Sequence, residues 1–345
     1  MQNGDRNEAA KAARARQDRL TKPRGSLGRL EDLVVQLAAL QGEAVPRARP
    51  AAALVFAADH PVARHGVSAY PSAVTAAMLA NFAAGGAAAS VLARVHRVAL
   101  EVIDVGVEAP PKATGCVRRH AVAARAEGDL RTEDAMDAAT LDSALAAGRE
   151  AVAELEPPPA VLLLGEIGIG NTSAAAAVAA AILGRPAAEL VGRGTGLDDA
   201  GLARKAEVVS DAVARVGTGE RPPLEALRRL GGRELAALVG AIELASARRV
   251  AILVDGFSVG VAALVAVRAW PSTRASLVFA HRSAEAGHTA VLDALDAEPL
   301  VDLGLRLGEA SGALSAFPLL EAACRLHAEM ATFEEAGVPD RPEAP

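Results

Sequence analysis

Short, predominantly apolar runs alternate with longer alanine-rich stretches along most of the chain. The apolar runs cover residues 51–59, 98–106, 160–166, 249–256 and 275–281. Because they are apolar almost throughout, they predict strands buried on both faces, as in a parallel sheet. The stretches between them have helical length and lie near residues 72–94, 140–155, 171–184, 199–216, 233–247, 257–269 and 284–297. This alternation predicts an α/β fold with a doubly wound, mostly parallel sheet.

Each predicted strand ends in Asp, Glu or His, or in a glycine beside one of them. In open parallel sheets, ligands bind in a crevice outside the carboxyl ends of the strands. The sequence therefore predicts one crevice ringed by Asp59, His60, Asp104, Glu166, Asp255, His281 and Arg282.

The two ends of the chain differ from the middle. Residues 1–45 are typical of helices, and residues 303–335 of two helices with the segment 308–318 between them. Helices that bracket a doubly wound core often pack together. We therefore expect a small helical domain from residues 1–48 and 303–338, a large α/β domain over 49–302, and a disordered, proline-rich tail over 339–345.

Composition and charge exclude several classes of function. The 345 residues are 51% hydrophobic, which is enough for a large core, but only 2% are aromatic. A net charge of −6 and so few rings for base stacking argue against a nucleic-acid or anionic-membrane binder. Residues 65–93 carry no Asp, Glu, Lys or Arg, but they are rich in Ala and Gly and interrupted by polar residues. They predict a buried helix rather than a membrane span.

The cysteines and histidines do not predict a metal site. Cys116 and Cys324 are far apart, and no Cys/His cluster has zinc spacing. His281 and His288 are seven residues apart, which does not place them on one helical turn. The start of the chain is polar and charged, without the apolar core of a signal peptide. We expect a reduced, cytoplasmic protein without a metal.

The stretch 164–173, "LGEIGIGNTS", is a glycine-rich turn between a predicted strand and a predicted helix. Its glycines allow a ligand to approach the backbone, and Asn171 or Thr172 can cap the helix, whose free amides attract an anion. It lacks the Lys of a Walker loop and the last glycine of GxGxxG. The alternative is a tight turn without a ligand, but a carboxylate, Glu166, would then be a costly choice inside an anion site.

Two further segments suit a phosphorylated ligand. The loop "VGRGTGLDDAGLARK" (191–205) enters a helix that Asp198 or Asp199 caps, with Lys205 one to two turns in; its alternative is a flexible surface loop. The segment "FAHRSAEAGH" (279–288) places Ser283 at a strand end, beside an Arg that suits phosphate or carboxylate.

One carboxylate near the end of the chain suits acid–base chemistry. Glu309 lies in "LRLGEASGAL" (305–314), among small and apolar neighbours. Such surroundings raise the pKa of a carboxyl group, which suits a general base near neutral pH. The alternative is a solvent-facing Glu at a helix end. Together these residues predict a small phosphorylated substrate and carboxylate-assisted chemistry, and they do not name the reaction.

Seven segments in this order resemble the nicotinate-nucleotide–dimethylbenzimidazole phosphoribosyltransferases, enzymes of cobalamin lower-ligand assembly. They are "LTKPRGSLGRLE" (20–31), "ADHPVARHGVSAYPSAVT" (58–75), "GEIGIGNTS" (165–173), "GRGTGLDD" (192–199), "VDGF" (254–257), "HRSAEAGH" (281–288) and "LGLRLGEASGAL" (303–314). The resemblance covers nearly the whole chain. It implies a Rossmann-like domain, a small domain of helices from both chain ends, a homodimer, and no metal or cofactor.

The resemblance also implies a reaction. The 5-phosphoribosyl group moves from nicotinate mononucleotide to a nitrogen of 5,6-dimethylbenzimidazole, with inversion at C1′, giving nicotinate and α-ribazole 5′-phosphate. Glu309 would be the general base and Glu166 would lie near the ribose and its developing positive charge. The remaining expected substrate-binding residues are Gly168, Ile169, Gly170, Asn171, Lys205 and Ser283 for the phosphate, Asp255 for orientation, and Tyr70, Met78, Leu307 and Gly308 for the acceptor pocket.

Two segments depart from the family pattern and leave the acceptor open. Pro61 follows Asp-His where the family commonly has Gly, and Ala310-Ser311 replaces Gly-Thr or Gly-Ser after Glu309. Another benzimidazole, a purine or a phenol remains an alternative acceptor. The alternative functions are a related ribotide transferase or hydrolase with another base, and a non-catalytic ribotide sensor, against which the two intact glutamates argue.

Overall fold

Six parallel strands form one sheet at the centre of the computed structural model, which describes residues 2–112, 114–120, 122, 128–217 and 221–340. The strands are β1 (Ala51–Ala58), β2 (Ala99–Gly106), β3 (Val117–Arg119), β4 (Val161–Ile167), β5 (Ala251–Val254) and β6 (Leu277–Phe279). Their spatial order is β3-β2-β1-β4-β5-β6, and every neighbouring pair is parallel. This confirms the predicted α/β fold with a parallel sheet.

Helices fill the connections and cover both faces of the sheet. They are α1 (Gln2–Gln17), α2 (Arg29–Gln41), α3 (Ala73–Ala83), α4 (Ala88–His96), α5 (Ala138–Ala153), α6 (Asn171–Leu183), α7 (Ala187–Leu190), α8 (Asp199–Val216), α9 (Pro223–Leu230), α10 (Arg233–Ala247), α11 (Phe257–Ala269), α12 (His288–Ala294), α13 (Ser311–Glu329) and α14 (Phe333–Ala336). Two 3-10 helices span Pro61–His65 and Pro271–Ser276.

The strand order reverses beside β1. The chain builds β2 and β3 on one side of β1 and then returns to place β4, β5 and β6 on the other. Strands β1 and β4 run in register, with Phe56 opposite Glu166 and Ala57 opposite Ile167. A switch of this kind opens a crevice at the carboxyl ends of the two strands.

Alternate residues of each strand supply two apolar cores, one on each face of the sheet. Leu54 and Phe56 point into the core that α5, α6, α10 and α11 cover, where α6 is buried from Ala174 to Ile182. The next residues along β1, including Val55, belong to the core that α2 and α13 cover. The helices from both chain ends therefore pack on the sheet itself. A separate small domain from these helices stays a prediction.

The predicted helix over 72–94 is wrong as a single element. Gly85, with a φ of 78°, and Gly86 separate α3 from α4. By length and composition, Ala73–His96 is the one stretch among the described residues that could cross a membrane. However, its helices of 11 and 9 residues span only about 17 and 14 Å, against the roughly 30 Å of a bilayer core.

The expected break at 308–318 is also wrong. Residues 303–310 form a loop, and α13 then continues through Pro318 to Glu329, so the break between the last two helices falls at 330–332. The helix predicted over 284–297 is shorter and spans His288–Ala294. Of the predicted disordered tail, residues 341–345 lie outside the described residues.

Candidate active site

A cavity of about 760 Å³ opens at the carboxyl ends of β4, β5 and β6. It is lined by Val67, Ser68, Tyr70, Val74, Thr75, Met78, Glu166, Ile167, Gly168, Ile169, Gly170, Asn171, Thr172, Gly194, Thr195, Gly256, Phe257, Ser258, His281, Ser283, Glu285, Gly304, Leu305, Arg306, Leu307, Gly308 and Glu309. Of the expected site residues, Lys205 and Asp255 are not on its wall.

Two acids of the predicted ring serve the protein itself. Asp59 Oδ2 accepts a hydrogen bond from Glu108 N at 2.9 Å, and Asp104 Oδ1 accepts one from Val107 N at 2.9 Å. They hold the loop after β2, so the expectation that every acid at a strand end faces one crevice is wrong. His60 pairs with Glu234 at 2.9 Å behind the cavity, with both side chains fully buried.

The glycine-rich turn after β4 is built by close packing against β1. A Cβ on Gly168 would lie 2.2 Å from the carbonyl oxygen of Ala58, so only glycine fits there. Gly170, with a φ of 103°, is the N-cap of α6, which corrects the expected cap at Asn171 or Thr172. The Ile169 amide donates to Thr75 Oγ1 at 3.2 Å. The backbone of this turn therefore forms one wall of the cavity at the start of a helix.

Glu166 is held at the base of this turn. Its Oε2 accepts a hydrogen bond from Nδ2 of Asn171, whose own Oδ1 accepts one from Thr172 N at 2.6 Å. The Glu166 side chain is 6% exposed. Asn171 thus fixes the carboxyl group instead of capping the helix in the usual way.

Glu309 reaches the same point from the other end of the chain. Its amide donates to the carbonyl oxygen of Glu166 at 3.1 Å. A Cβ on Gly165 would lie 2.2 Å from the amide nitrogen of Ala310, so a glycine in β4 is what lets this segment approach the strand. Gly308, Glu309 and Ala310 all have a positive φ, of 81°, 61° and 61°, which is costly for the two non-glycine residues. The turn brings Glu309 beside Glu166.

Burial and mutual repulsion move the pKa values of both carboxyl groups. Burial raises the pKa of Glu309 to about 7, and the charge of Asp255 adds to this effect. Burial raises the pKa of Glu166 to about 8, with further increases from the charges of Glu234, Asp255 and Glu309, against a decrease from the Asn171 hydrogen bond. Both carboxyl groups therefore titrate near neutral pH instead of near the ordinary value of 4.5. Carboxyl groups whose pKa values are raised toward neutrality are typical of acid–base sites.

Glu309 also has a free acceptor atom. Its Oε2 is buried and has no hydrogen-bond partner among the described residues. A base at the wall of a cavity needs such an atom to receive a proton from a bound molecule.

Lys205 lies directly behind the cavity wall. Its Nζ donates to Thr172 Oγ1 at 2.9 Å and to the carbonyl oxygen of Gly192 at 3.1 Å. Asp198 starts its helix by accepting a hydrogen bond from Gly201 N, as predicted for this loop. Burial lowers the pKa of Lys205 to about 8, while the charge of Glu285 opposes that decrease. The buried ammonium faces the Thr172 and Gly194 part of the wall.

Asp255 lies outside the cavity wall and contacts the segments that carry Glu309 and His281. Its Oδ1 accepts a hydrogen bond from Ala313 N at 2.9 Å, in the first turn of α13, and lies 3.6 Å from Nε2 of His281. It therefore fixes the start of the helix that follows Glu309. Its expected contact with a ligand stays a prediction.

The loop after β6 is fixed by a neutral histidine. His288 Nδ1 accepts a hydrogen bond from Ser283 N at 2.8 Å. Burial lowers the pKa of His288 to about 3, and the charges of His281 and Arg282 lower it further. His288 is therefore uncharged at neutral pH and orients Ser283 on the cavity wall, while the described residues include no group of acids, His and Cys that could hold a metal ion.

The apolar side of the cavity is at its mouth. Tyr70 and Leu307 are 55% and 57% exposed, and Met78 lies deeper. Loops across the mouth meet at residues 194 and 195: Thr195 Oγ1 accepts a hydrogen bond from Ala69 N at 2.9 Å, and Arg306 donates to the Gly194 carbonyl oxygen at 2.8 Å. Thr195, Arg306 and Glu285 also line the cavity, and no motif in the sequence predicted a role for them.

Known proteins that resemble this chain fall in one family. A model of the Phosphoribosyltransferase family matches residues 3–338. The chain is 55% identical over 335 residues to the nicotinate-nucleotide–dimethylbenzimidazole phosphoribosyltransferase of Azotobacter vinelandii, covering 96% of this chain and 95% of that protein. It is 54% identical over 331 residues to the protein of the same name from Pseudomonas aeruginosa, covering 96% and 94%.

Solved structures of proteins from this family have a similar fold. The crystal structure of nicotinate-nucleotide–dimethylbenzimidazole phosphoribosyltransferase from Thermus thermophilus matches with a TM-score of 0.90 at 41% identity, covering 97% of this chain and 99% of that one. A structure of CobT from the same organism matches with a TM-score of 0.91 at 42% identity, covering 97% and 100%.

Proposed function

The chain belongs to the nicotinate-nucleotide–dimethylbenzimidazole phosphoribosyltransferase family, and from this premise we propose the step that it catalyses. It transfers the 5-phosphoribosyl group of nicotinate mononucleotide to 5,6-dimethylbenzimidazole, giving nicotinate and α-ribazole 5′-phosphate for cobalamin assembly. The observation that carries this proposal is the buried Glu309, which has a raised pKa and a free Oε2 on the cavity wall.

The reaction requires one general base, at the acceptor, and no general acid at the leaving group. The nicotinate of the donor is already a cationic pyridinium, so it departs without being protonated. The acceptor is a neutral azole, whose N–H proton must leave as its other nitrogen bonds to C1′. A carboxylate with a pKa near the working pH suits this proton transfer, and Glu309 has one of about 7.

Glu166 acts at the ribose in this proposal. A carboxylate beside C1′ stabilises the positive charge that develops on the sugar as the C1′–N bond breaks. Burial raises the pKa of Glu166 to about 8, so this role requires the bound donor to favour the ionised form. The cationic pyridinium favours the ionised form.

The two flat bases lie on opposite faces of the ribose. Attack from the face opposite nicotinate inverts C1′ from β to α. Holding both reactants in line lowers the activation barrier, because their translational and rotational entropy is already lost on binding. The apolar side chains of Tyr70, Met78 and Leu307 line the part of the cavity that we assign to the acceptor. Gly308 leaves room there because a Cβ would lie 3.0 Å from Glu166 Oε1.

The phosphate of the donor lies at the start of α6. We assign it to the turn Gly168–Asn171, to the hydroxyl of Ser283, and to Lys205, whose ammonium group reaches the wall at Thr172. A helix N-terminus and a buried cation both favour an anion.

The test is acceptor-dependent release of nicotinate. The protein is incubated with nicotinate mononucleotide, either alone or together with 5,6-dimethylbenzimidazole, benzimidazole, adenine or phenol. The products are separated by chromatography and identified by mass spectrometry. We expect nicotinate and a ribotide of 5,6-dimethylbenzimidazole in equal amounts, and almost no nicotinate without an acceptor. Nicotinate release without an acceptor would indicate a hydrolase, and no turnover with any acceptor would indicate a ribotide-binding sensor.

Further proposals concern the assembly and its surroundings. We propose a homodimer, supported by the apolar Val91 and Val95, which are 43% and 66% exposed one turn apart on α4, and by the exposed Leu319 of α13, a helix that packs against α4. We also propose a cytoplasmic location, supported by the two free cysteines, Cys116 and Cys324. Light scattering of the purified protein tests the dimer, since a monomer mass at micromolar concentration would contradict it.

A further inference from the structure

Glu285 is a buried carboxylate on the cavity wall whose charge supports the Lys205 ammonium, and the steps above give it no contact with a substrate. It is 6% exposed, and its Oε2 has no hydrogen-bond partner among the described residues. Burying an acceptor without a partner is costly, so a site that keeps one usually supplies the partner with its ligand.

The backbone around Glu285 holds it in place. Its amide donates to Ser283 Oγ at 3.3 Å, and its carbonyl oxygen accepts a hydrogen bond from His288 N at 3.0 Å. A Cβ on Gly192 would lie 1.9 Å from Oε2, so a glycine at that position is what makes room for the carboxyl group. The same Gly192 receives the Lys205 hydrogen bond on its carbonyl oxygen. Glu285 is therefore fixed between Ser283 and the loop that covers Lys205.

The chemistry of the substrates selects one partner. A carboxylate oxygen only accepts hydrogen bonds, so its partner must donate. The phosphate and the nicotinate carboxylate of the donor are acidic acceptors, which Glu285 repels. The azole N–H of the acceptor goes to Glu309 under the proposed function, on which this step rests. The hydroxyl groups of the ribose remain.

We propose that Glu285 binds the donor by accepting a hydrogen bond from the 2′- or 3′-hydroxyl of its ribose. Acidic side chains bind ribose hydroxyls in this way at other nucleotide sites at the ends of parallel strands. The contact fixes the rotation of the sugar, so that C1′ is presented between the leaving base and the acceptor. Glu285 is thus a determinant of specificity for ribose over deoxyribose.

The experiment is analogous to a double-mutant cycle, in which one change is made in the protein and the other in the donor. The wild type and Glu285→Gln, whose side chain has the same shape without the charge, are assayed with nicotinate mononucleotide and with its 2′-deoxy and 3′-deoxy analogues. Comparing ratios of kcat/KM cancels the intrinsic reactivity of each analogue. The matched control is Glu189→Gln, because Glu189 lies on α7 with an exposed side chain that pairs with Arg185. Thermal melting of each variant verifies that it is folded.

We expect Glu285→Gln to lower kcat/KM for the ribose donor by roughly 10- to 100-fold, as for a hydrogen bond to a charged group. With one of the two deoxy analogues the same substitution should cost less than about 3-fold. An equal loss with all three donors would overturn the proposal, and so would no loss with the ribose donor. Failure of the proposed function is separate, because the wild type would then form no ribotide from the ribose donor and 5,6-dimethylbenzimidazole.

Discussion

Replacing Glu309 by Gln removes the proton acceptor while it keeps the shape and burial of the side chain. General-base help of this kind is worth on the order of 10²- to 10⁴-fold, or about 3 to 5 kcal/mol of activation free energy. Because the pKa of Glu309 without substrates is about 7, kcat/KM of the wild type should fall tenfold per pH unit below that value. The variant should show a low, flat profile.

The assay is ribotide formation with donor and acceptor each varied, followed by chromatography between pH 5.5 and 9. The KM for nicotinate mononucleotide should change by less than about 3-fold, because the proposed function places Glu309 at the acceptor and not at the donor. Glu189→Gln is again the control, since its exposed partner Arg185 lies away from the cavity. Rates within tenfold of the wild type from pH 6 to 8 would refute the role of Glu309.

The same substitution has a predictable effect on stability. The pKa of Glu309 is about 7 in the fold against an ordinary value of 4.5. The folded state therefore holds a proton that the unfolded state loses, and stability falls as pH rises from about 4.5 to 7, by about 3 kcal/mol in total. Glu309→Gln lacks this decrease. Relative to the wild type it should gain up to about 3 kcal/mol between pH 4.5 and 8 in urea unfolding, and a constant difference across that range would contradict the burial argument.

Three other changes test the remaining parts of the site. Lys205→Ala should raise KM for the phosphorylated donor with less effect on kcat, and the wild-type KM should rise above pH about 8, where the buried ammonium loses its proton; a pH-independent KM would contradict this. Asp255→Asn removes a charge that raises the pKa of Glu309, so the acid limb of the kcat/KM profile should move to lower pH, and an unmoved limb would exclude that coupling. Gly165→Ala should cost about 1 to 3 kcal/mol of stability and most of the activity, because its Cβ would meet Ala310 N at 2.2 Å; wild-type activity would show that the approach is not required.

The sheet could be predicted from the sequence because its strands are buried on both faces and therefore stand out as apolar runs. The edge strand β3 could not, since it has three residues and two of them are Arg118 and Arg119. The break between α3 and α4 depends on two glycines inside a long apolar stretch, and glycine alone does not tell a tolerated position from a helix end.

Some residues of the site could likewise be predicted from the sequence, and others could not. Glu166 and Glu309 were recognisable because each lies in a glycine-rich segment at an element end. Whether a strand-end acid faces the cavity depends on the loop beyond it, and Asp104 is taken by backbone amides of its own loop. Glu285 could not be found from the sequence, because its free oxygen depends on Gly192 of a different loop.

The configuration and amount of the product test the central claim most directly. Nicotinate mononucleotide and 5,6-dimethylbenzimidazole are incubated with the protein, and the ribotide is identified by NMR at C1′ while nicotinate is quantified. The account predicts one α-ribotide for each nicotinate released. A β-ribotide, or free ribose 5-phosphate in place of the ribotide, would contradict it.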